Sequence, residues 1–143
     1  MAPAATARAA CQEIHIGQIG KVVPLTGMPT EGQFFVDITP NGAHISVLGQ
    51  GSGTTASTLV DLDAATGWVG RPIKVGTDAT ALTANPDSKF VYVLTPGSDY
   101  EGPTIASQPK KAPGSVIPVV TATDTVGNPI KVGLLASAMA ITP

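Results

Sequence analysis

Gly70-Arg71-Pro72-Ile73-Lys74-Val75-Gly76 returns later in the chain as Gly127-Asn128-Pro129-Ile130-Lys131-Val132-Gly133. Six of the seven positions are identical, at a spacing of 57 residues. The match extends outward. Ala65-Thr66 returns as Ala122-Thr123, and Ala79, Ala81 and Pro86 return as Ala136, Ala138 and Pro143. A second phrase repeats at a spacing of 46: Ile38-Thr39-Pro40-Asn41-Gly42-Ala43-His44-Ile45-Ser46-Val47-Leu48 aligns with Ala84-Asn85-Pro86-Asp87-Ser88-Lys89-Phe90-Val91-Tyr92-Val93-Leu94. Ile141-Thr142-Pro143 opens that phrase a third time. The repeat is therefore about 46 residues long, with about 11 extra residues in the second copy.

The content of each unit selects its architecture. Short β-branched runs (Ser57 to Asp61, Pro72 to Val75, Ala81 to Ala84, Phe90 to Leu94) alternate with turn residues. Four strands of this length fill a unit of roughly 40–50 residues, the period of a propeller blade. Pro40-Asn41-Gly42 puts residues tolerant of positive φ between two strands, a hairpin signal. Pro86-Asp87-Ser88 is the same turn without its glycine, and less favourable for it. Gly76 and Gly133 end strands where the backbone turns. Along Phe90 to Leu94, Val91 and Val93 share one face, and Phe90, Tyr92 and Leu94 the other. Both faces are apolar, as a strand sandwiched between neighbouring sheets requires. The expected fold is all-β, a partial β-propeller of about three four-stranded antiparallel blades. Residues 1–19 read as an N-terminal tail with one short strand, Gln12 to Gly17. Residues 20–143 carry the repeats, with turn phrases near 38–48, 84–94 and 141–143 and a loop insertion near 97–115.

Composition agrees. Of 143 residues, 16 are Gly and 13 Pro, 13% are charged, and mean hydropathy is +0.24. That charge is about half the usual share of roughly 25%, which argues against a coiled coil or a charged disordered tail. A net charge of −2 leaves no basic footprint for nucleic acid or anionic lipid. The first ten residues lack the apolar run of a secretory signal, and no stretch is apolar enough to span a membrane as a helix.

Pro86-Asp87-Ser88-Lys89-Phe90-Val91-Tyr92-Val93-Leu94-Thr95 resembles the YVTN-type β-propeller repeat, a Pro-Asp-Gly-Lys turn followed by a Tyr-Val-Thr-Asn strand; Leu94 and Thr95 depart from that ending. Leu59-Val60-Asp61-Leu62-Asp63-Ala64-Ala65-Thr66-Gly67 is similar to the next strand of that repeat, with Asp63 in the family's aspartate position. Val116 to Thr123 is a second copy, with Val120 in that place. The Pro-Ile-Lys-Val-Gly phrases resemble the strand after it. The resemblance covers about residues 20–143. It implies seven-bladed propellers of the lactonase and surface-layer type, many of them exported. The motif residues of that family build turns and blade cores, so the resemblance implies a scaffold rather than a reaction.

Each candidate for chemistry has a plainer reading. Cys11 is the single cysteine, and His15 would share its face only on a helix. Asp99, Tyr100, Glu101, Lys110 and Lys111 in the insertion are residue types that meet ligands, but in a Pro-rich loop that fixes no geometry. Gly49-Gln50-Gly51-Ser52-Gly53 lacks the Lys-Ser/Thr of a phosphate loop. His44 aligns with Phe90 and reads as a strand residue before a metal ligand. Trp68 suits the cover of a blade edge, and secondarily a sugar platform. Asp61, Asp63 and Asp78 read as turn residues. No catalytic, cofactor or metal residue is assigned, and no cofactor is expected.

The function expected is a non-enzymatic interaction or surface scaffold in an exported protein, with an unidentified protein or surface partner, self-association through exposed blade edges as a further option, no nucleic acid and no membrane span. The alternative is part of a lactonase-like hydrolase whose site needs further blades. Closed propellers have about four to eight blades, and an open stack exposes apolar faces and strand edges. The expectation is therefore a piece of a longer protein; closure by several copies is the rival.

Overall fold

The computed structural model describes residues 22–98 and 111–142. The expected tail and strand of residues 1–19, with Cys11 and His15, lie outside the described residues. So do Asp99, Tyr100, Glu101, Lys110 and Pro143. Among the described residues there are nine strands and no helix. The expected all-β class is therefore observed.

The strands form two antiparallel sheets. The first is a meander of β1 (Phe34–Ile38), β2 (His44–Gly49), β3 (Thr58–Asp63) and β4 (Ile73–Lys74). The second runs through β5 (Ala81–Ala84), β6 (Phe90–Ser98), β7 (Ala112–Val120) and β8 (Thr125–Val126), with β9 (Ile130–Lys131) also pairing β7. The expected strands at Ser57–Asp61, Pro72–Val75, Ala81–Ala84 and Phe90–Leu94 correspond to β3, β4, β5 and β6. The strands beside the insertion run into it, pairing Gly97 with Pro113 and Ser98 with Ala112. A third sheet is not present among the described residues. Residues 136–142, which repeat β5, form no strand, since no second strand stands beside them to complete a ladder.

The repeat holds down to single hydrogen bonds. Thr39 N donates to His44 O and Asn85 N to Phe90 O; Gly42 N donates to Thr39 O and Ser88 N to Asn85 O. Ala43 N donates to Asn41 Oδ1, and Lys89 N to Asp87 Oδ1. Past the insertion the spacing becomes 57. Gly70 N donates to Asp61 O and Gly127 N to Pro118 O, both at 2.7 Å. Left-handed residues recur with them: Gly42 (φ 70°) and Ser88 (60°), Gly67 (70°) and Asp124 (53°), Asp78 (52°) and Leu135 (55°).

The core lies between the sheets. Register puts Phe35, Leu48, Leu59 and Ile73 on one face of the first sheet. Leu82, Ala84, Val91, Val93, Ile117 and Val119 share one face of the second. These two faces form a single apolar cluster, closed at one end by Val75 and Ala79 from the connection between the sheets. Val91 and Val93 thus lie on one buried face, as their alternation required. Two polar contacts tie the sheets where β1 meets β5: Ala84 N donates to Asp37 Oδ2 at 2.7 Å, and Asn41 N to Ser88 Oγ at 3.1 Å.

Two substitutions test this packing. Thr80 Oγ1 is buried without a hydrogen-bond partner, so Thr80→Val should raise unfolding stability by about 1 kcal/mol. Leu135 is exposed yet left-handed, so Leu135→Gly should gain about 0.5–1 kcal/mol by relieving the Cβ clash. Urea denaturation of each variant measures both.

Candidate functional site

A polar cleft of about 340 Å³ stands at one end of the sheets, lined by His44, Asp61, Asp63, Trp68, Arg71 and Asp124 among others. It forms where the β3–β4 turn of the first sheet comes beside the β7–β8 turn of the second. His44 and Ser46 lie on β2, and Asp61 directly faces Ser46 across the β2–β3 ladder. Asp61 is therefore a buried strand residue, as the run Ser57–Asp61 implied, and not a residue of a turn. The alternation of β3 places its side chain on the face of Leu59, towards the second sheet.

Asp61 is the centre of a small network. His44 Nδ1 donates to Asp61 Oδ2 at 2.7 Å, and Ser46 Oγ donates to Asp61 Oδ1 at 3.0 Å. Burial pushes the Asp61 carboxyl above its usual range, against the pull of Ser46 and His44. Asp124 is also raised, first by desolvation and then by the Asp61 charge, with His44 and Arg71 opposing. Gly70 makes room for it: a Cβ there would stand 2.9 Å from Asp124 Oδ2. Asp63 behaves oppositely. Its Oδ1 accepts from Thr66 Oγ1, Thr66 N and Ala65 N, and these bonds hold the carboxyl below its usual range. Asp63 thus closes the turn that leads to Trp68, a residue 63% exposed at the cleft mouth.

This arrangement differs from that of a nucleophilic hydroxyl. Activation of a serine needs its hydroxyl to donate to a base such as imidazole. Here hydroxyl and imidazole both donate to one carboxylate, which stands between them. Ser46 is moreover 2% exposed. The trio fastens β2 to β3. Among the described residues, no three His, Cys, Asp or Glu side chains stand in a geometry that holds a metal ion.

The other sequence candidates lie at the opposite end. The glycine-rich loop after β2 is tied to the protein itself. Gln50 N donates to Gln33 O, Gly51 N to Ser57 Oγ, and Gly51 O accepts from Asp78 N. Gly51 is required for close approach, since a Cβ would meet Thr55 O at 2.3 Å. Ser57, which composition does not single out, is fully buried, and its Oγ accepts from both Gly51 N and Ala79 N. Asp78 lines a separate groove of about 280 Å³ with Thr95, Gly97 and Pro113, so the structure does not bring it to Asp61 and Asp63. Lys111 is exposed beside β7. The sequence signal for Asp124 was its alignment with Gly67, a position that demands left-handed backbone. Arg71 stood inside the repeated phrase, at the one position that differs.

No protein-family model matches the chain, and no curated protein matches it. Among solved structures, it is similar to a chain of Kuenenia stuttgartiensis hydrazine synthase, with a TM-score of 0.52 and 18% identity. The match covers 71% of this chain and 30% of that one, so this chain corresponds to less than a third of that chain's length. At this identity the likeness is one of fold alone. No helix among the described residues is long and apolar enough to cross a membrane.

The carboxyls set a pH dependence. A raised folded value means that the folded chain binds the proton more tightly than the unfolded one. The contribution of Asp61 and Asp124 is therefore full below the ordinary aspartate value and lost as pH rises through their raised folded values. Asp124→Asn should increase stability at neutral pH and flatten its fall between acid and neutral pH, measured by thermal unfolding across that range. Asp61→Ala strands the buried Ser46 hydroxyl and should cost about 1–3 kcal/mol at neutral pH.

Proposed function

We propose that the two sheets are consecutive blades of a YVTN-type β-propeller, and that the chain acts as a non-enzymatic interaction or surface scaffold in an exported protein. The observation that carries this reading is the agreement of the two sheets: the same strands, the same turn hydrogen bonds and the same left-handed positions recur at spacings of 46 and 57. A meander of four strands, packed through one face on the next meander, is how a blade sits in a propeller. Export rests on the family resemblance alone.

The polar groups at the cleft support a scaffold over a hydrolase. Asp61, His44 and Ser46 spend their hydrogen bonds on one another, and Asp63 spends its own on a turn. Outside the core, the outer face of each sheet offers apolar surface, including Val36, Ile38 and Ile130. Contiguous exposed apolar surface is what an interaction module presents.

A panel of γ- and δ-lactones followed by pH-stat tests the reading. The expected result is no turnover above buffer by the purified chain. Turnover that disappears in Asp61→Asn would overturn the non-enzymatic reading.

A further inference from the structure

The internal interface of this chain shows what its two outer faces fit. Through the 46- and 57-residue spacings, the second-sheet face that is buried against the first corresponds to a set on the first sheet. Leu82, Ala84, Val91, Val93, Ile117 and Val119 correspond to Val36, Ile38, Ile45, Val47, Val60 and Leu62. All six of those are apolar, and they lie on the outer face of the first sheet. Val36 and Ile38, on the edge strand β1, are 62% and 56% exposed, whereas Val60 and Leu62 on the same face are already buried within the chain, as Leu94 is on the other outer face. The reverse holds for the other half of the interface. Phe35, Leu48, Leu59 and Ile73 correspond to Ala81, Leu94, Val116 and Ile130, on the outer face of the second sheet.

Ile73 and Ile130 make the comparison sharpest. Both lie in Pro-Ile-Lys-Val-Gly. Ile73 packs against the core, covered by the neighbouring sheet, whereas Ile130 is 56% exposed. The outer face of the second sheet already holds part of its cover. Met139, Ala140, Ile141 and Thr142, in the stretch that repeats β5, line a groove with Tyr92 and Val116. Residues 28 and 29 likewise reach the outer face of the first sheet, where Met28 and Pro29 stand against Gly49. Neither segment covers Val36, Ile38 or Ile130.

We infer that the two outer faces are the two halves of one interface, and that the occupant is a second copy of this chain, docked head to tail. The outer face of the second sheet and residues 136–142 of one copy meet the outer face of the first sheet and residues 22–33 of the next. This continues the interface already present within each chain. The contact is heterologous: different surfaces meet, so copies add in one direction until a ring closes. No side chain of either charge lies among the paired positions, so these carry no like-charge penalty. The inference deepens the scaffold reading and rests on taking the sheets as consecutive blades.

The test uses the full chain in light scattering coupled to size exclusion, with circular dichroism on every sample. The wild type is expected above the monomer mass. Val36→Lys with Ile38→Lys blocks one face, and Ile130→Lys with Ala140→Lys blocks the other. Each blocked variant should fall to the monomer mass, and an equal mixture of the two should form a dimer and nothing larger. Where a lysine pair abolishes the β spectrum, Val36→Thr with Ile38→Thr, or Ile130→Thr, replaces it. A monomeric wild type, self-association of a blocked variant at the wild-type level, or a mixture that stays monomeric overturns the inference while leaving the blade reading in place. A predominantly helical spectrum of the wild type overturns the blade reading itself.

Discussion

A strand that is apolar on both faces cannot end a structure in water; something must cover each side. That constraint organises this molecule. β2, β3 and β6 carry side chains such as Val47 and Leu48, Val60 and Leu59, and Val93 and Leu94, which point to opposite faces and are all apolar. Stacking the two sheets covers one face of each, and the cluster from Leu48 to Val119 is the result. Apolar packing fixes the stacking but tolerates sliding. The β1–β5 edge removes that freedom, because Asp37 accepts the amide of Ala84 and Ser88 accepts that of Asn41. An unpaired edge amide is a liability in a sheet. Asp37 satisfies one at the place where the neighbouring sheet approaches.

The turns show how far the repeat can drift before it fails. Their backbone path asks for left-handed residues at fixed places. The first copy supplies glycine at two of them, Gly42 and Gly67, where the second has Ser88 and Asp124. A side chain there costs roughly 1–2 kcal/mol against glycine, so each replacement needs an offset. Ser88 has two: its hydroxyl accepts from Asn41 N, and its carbonyl accepts from Thr121 Oγ1 at 2.8 Å. Asp124 has the cavity left by Gly70, but it faces the Asp61 carboxylate.

This contrast marks what was legible in the sequence and what was not. Strand positions were legible because alternation and turn residues are local properties; Ala81 to Ala84 and the Pro40-Asn41-Gly42 turn needed no knowledge of the rest of the chain. The two faces of β6 followed from parity. The partners of a side chain did not. Asp61 stood at the end of the legible run from Ser57, but only the β2–β3 register brings Ser46 and His44 to it. The glycine-rich loop looked free because its hydrogen-bond acceptors, Gln33 and Ser57, lie outside the phrase. The third copy of the turn phrase was legible, yet a phrase without a neighbouring strand does not form a ladder.

The polar cleft belongs to the seam between the sheets and not to the repeat. His44, Ser46 and Asp61 correspond to Phe90, Tyr92 and Pro118 at the same spacings. Those three lie on the outer face of the second sheet, where the Phe90 and Tyr92 rings stand 6.1 Å apart. The second sheet therefore forms with aromatic and apolar groups in place of the hydrogen-bonded trio. The trio is a feature of one interface, where Asp124 and Arg71 arrive from the turns beside it. At the corresponding place on the outer face the aromatic pair presents no charge. A sheet that covers that face would make a drier seam than the internal one, and its contact would depend less on pH.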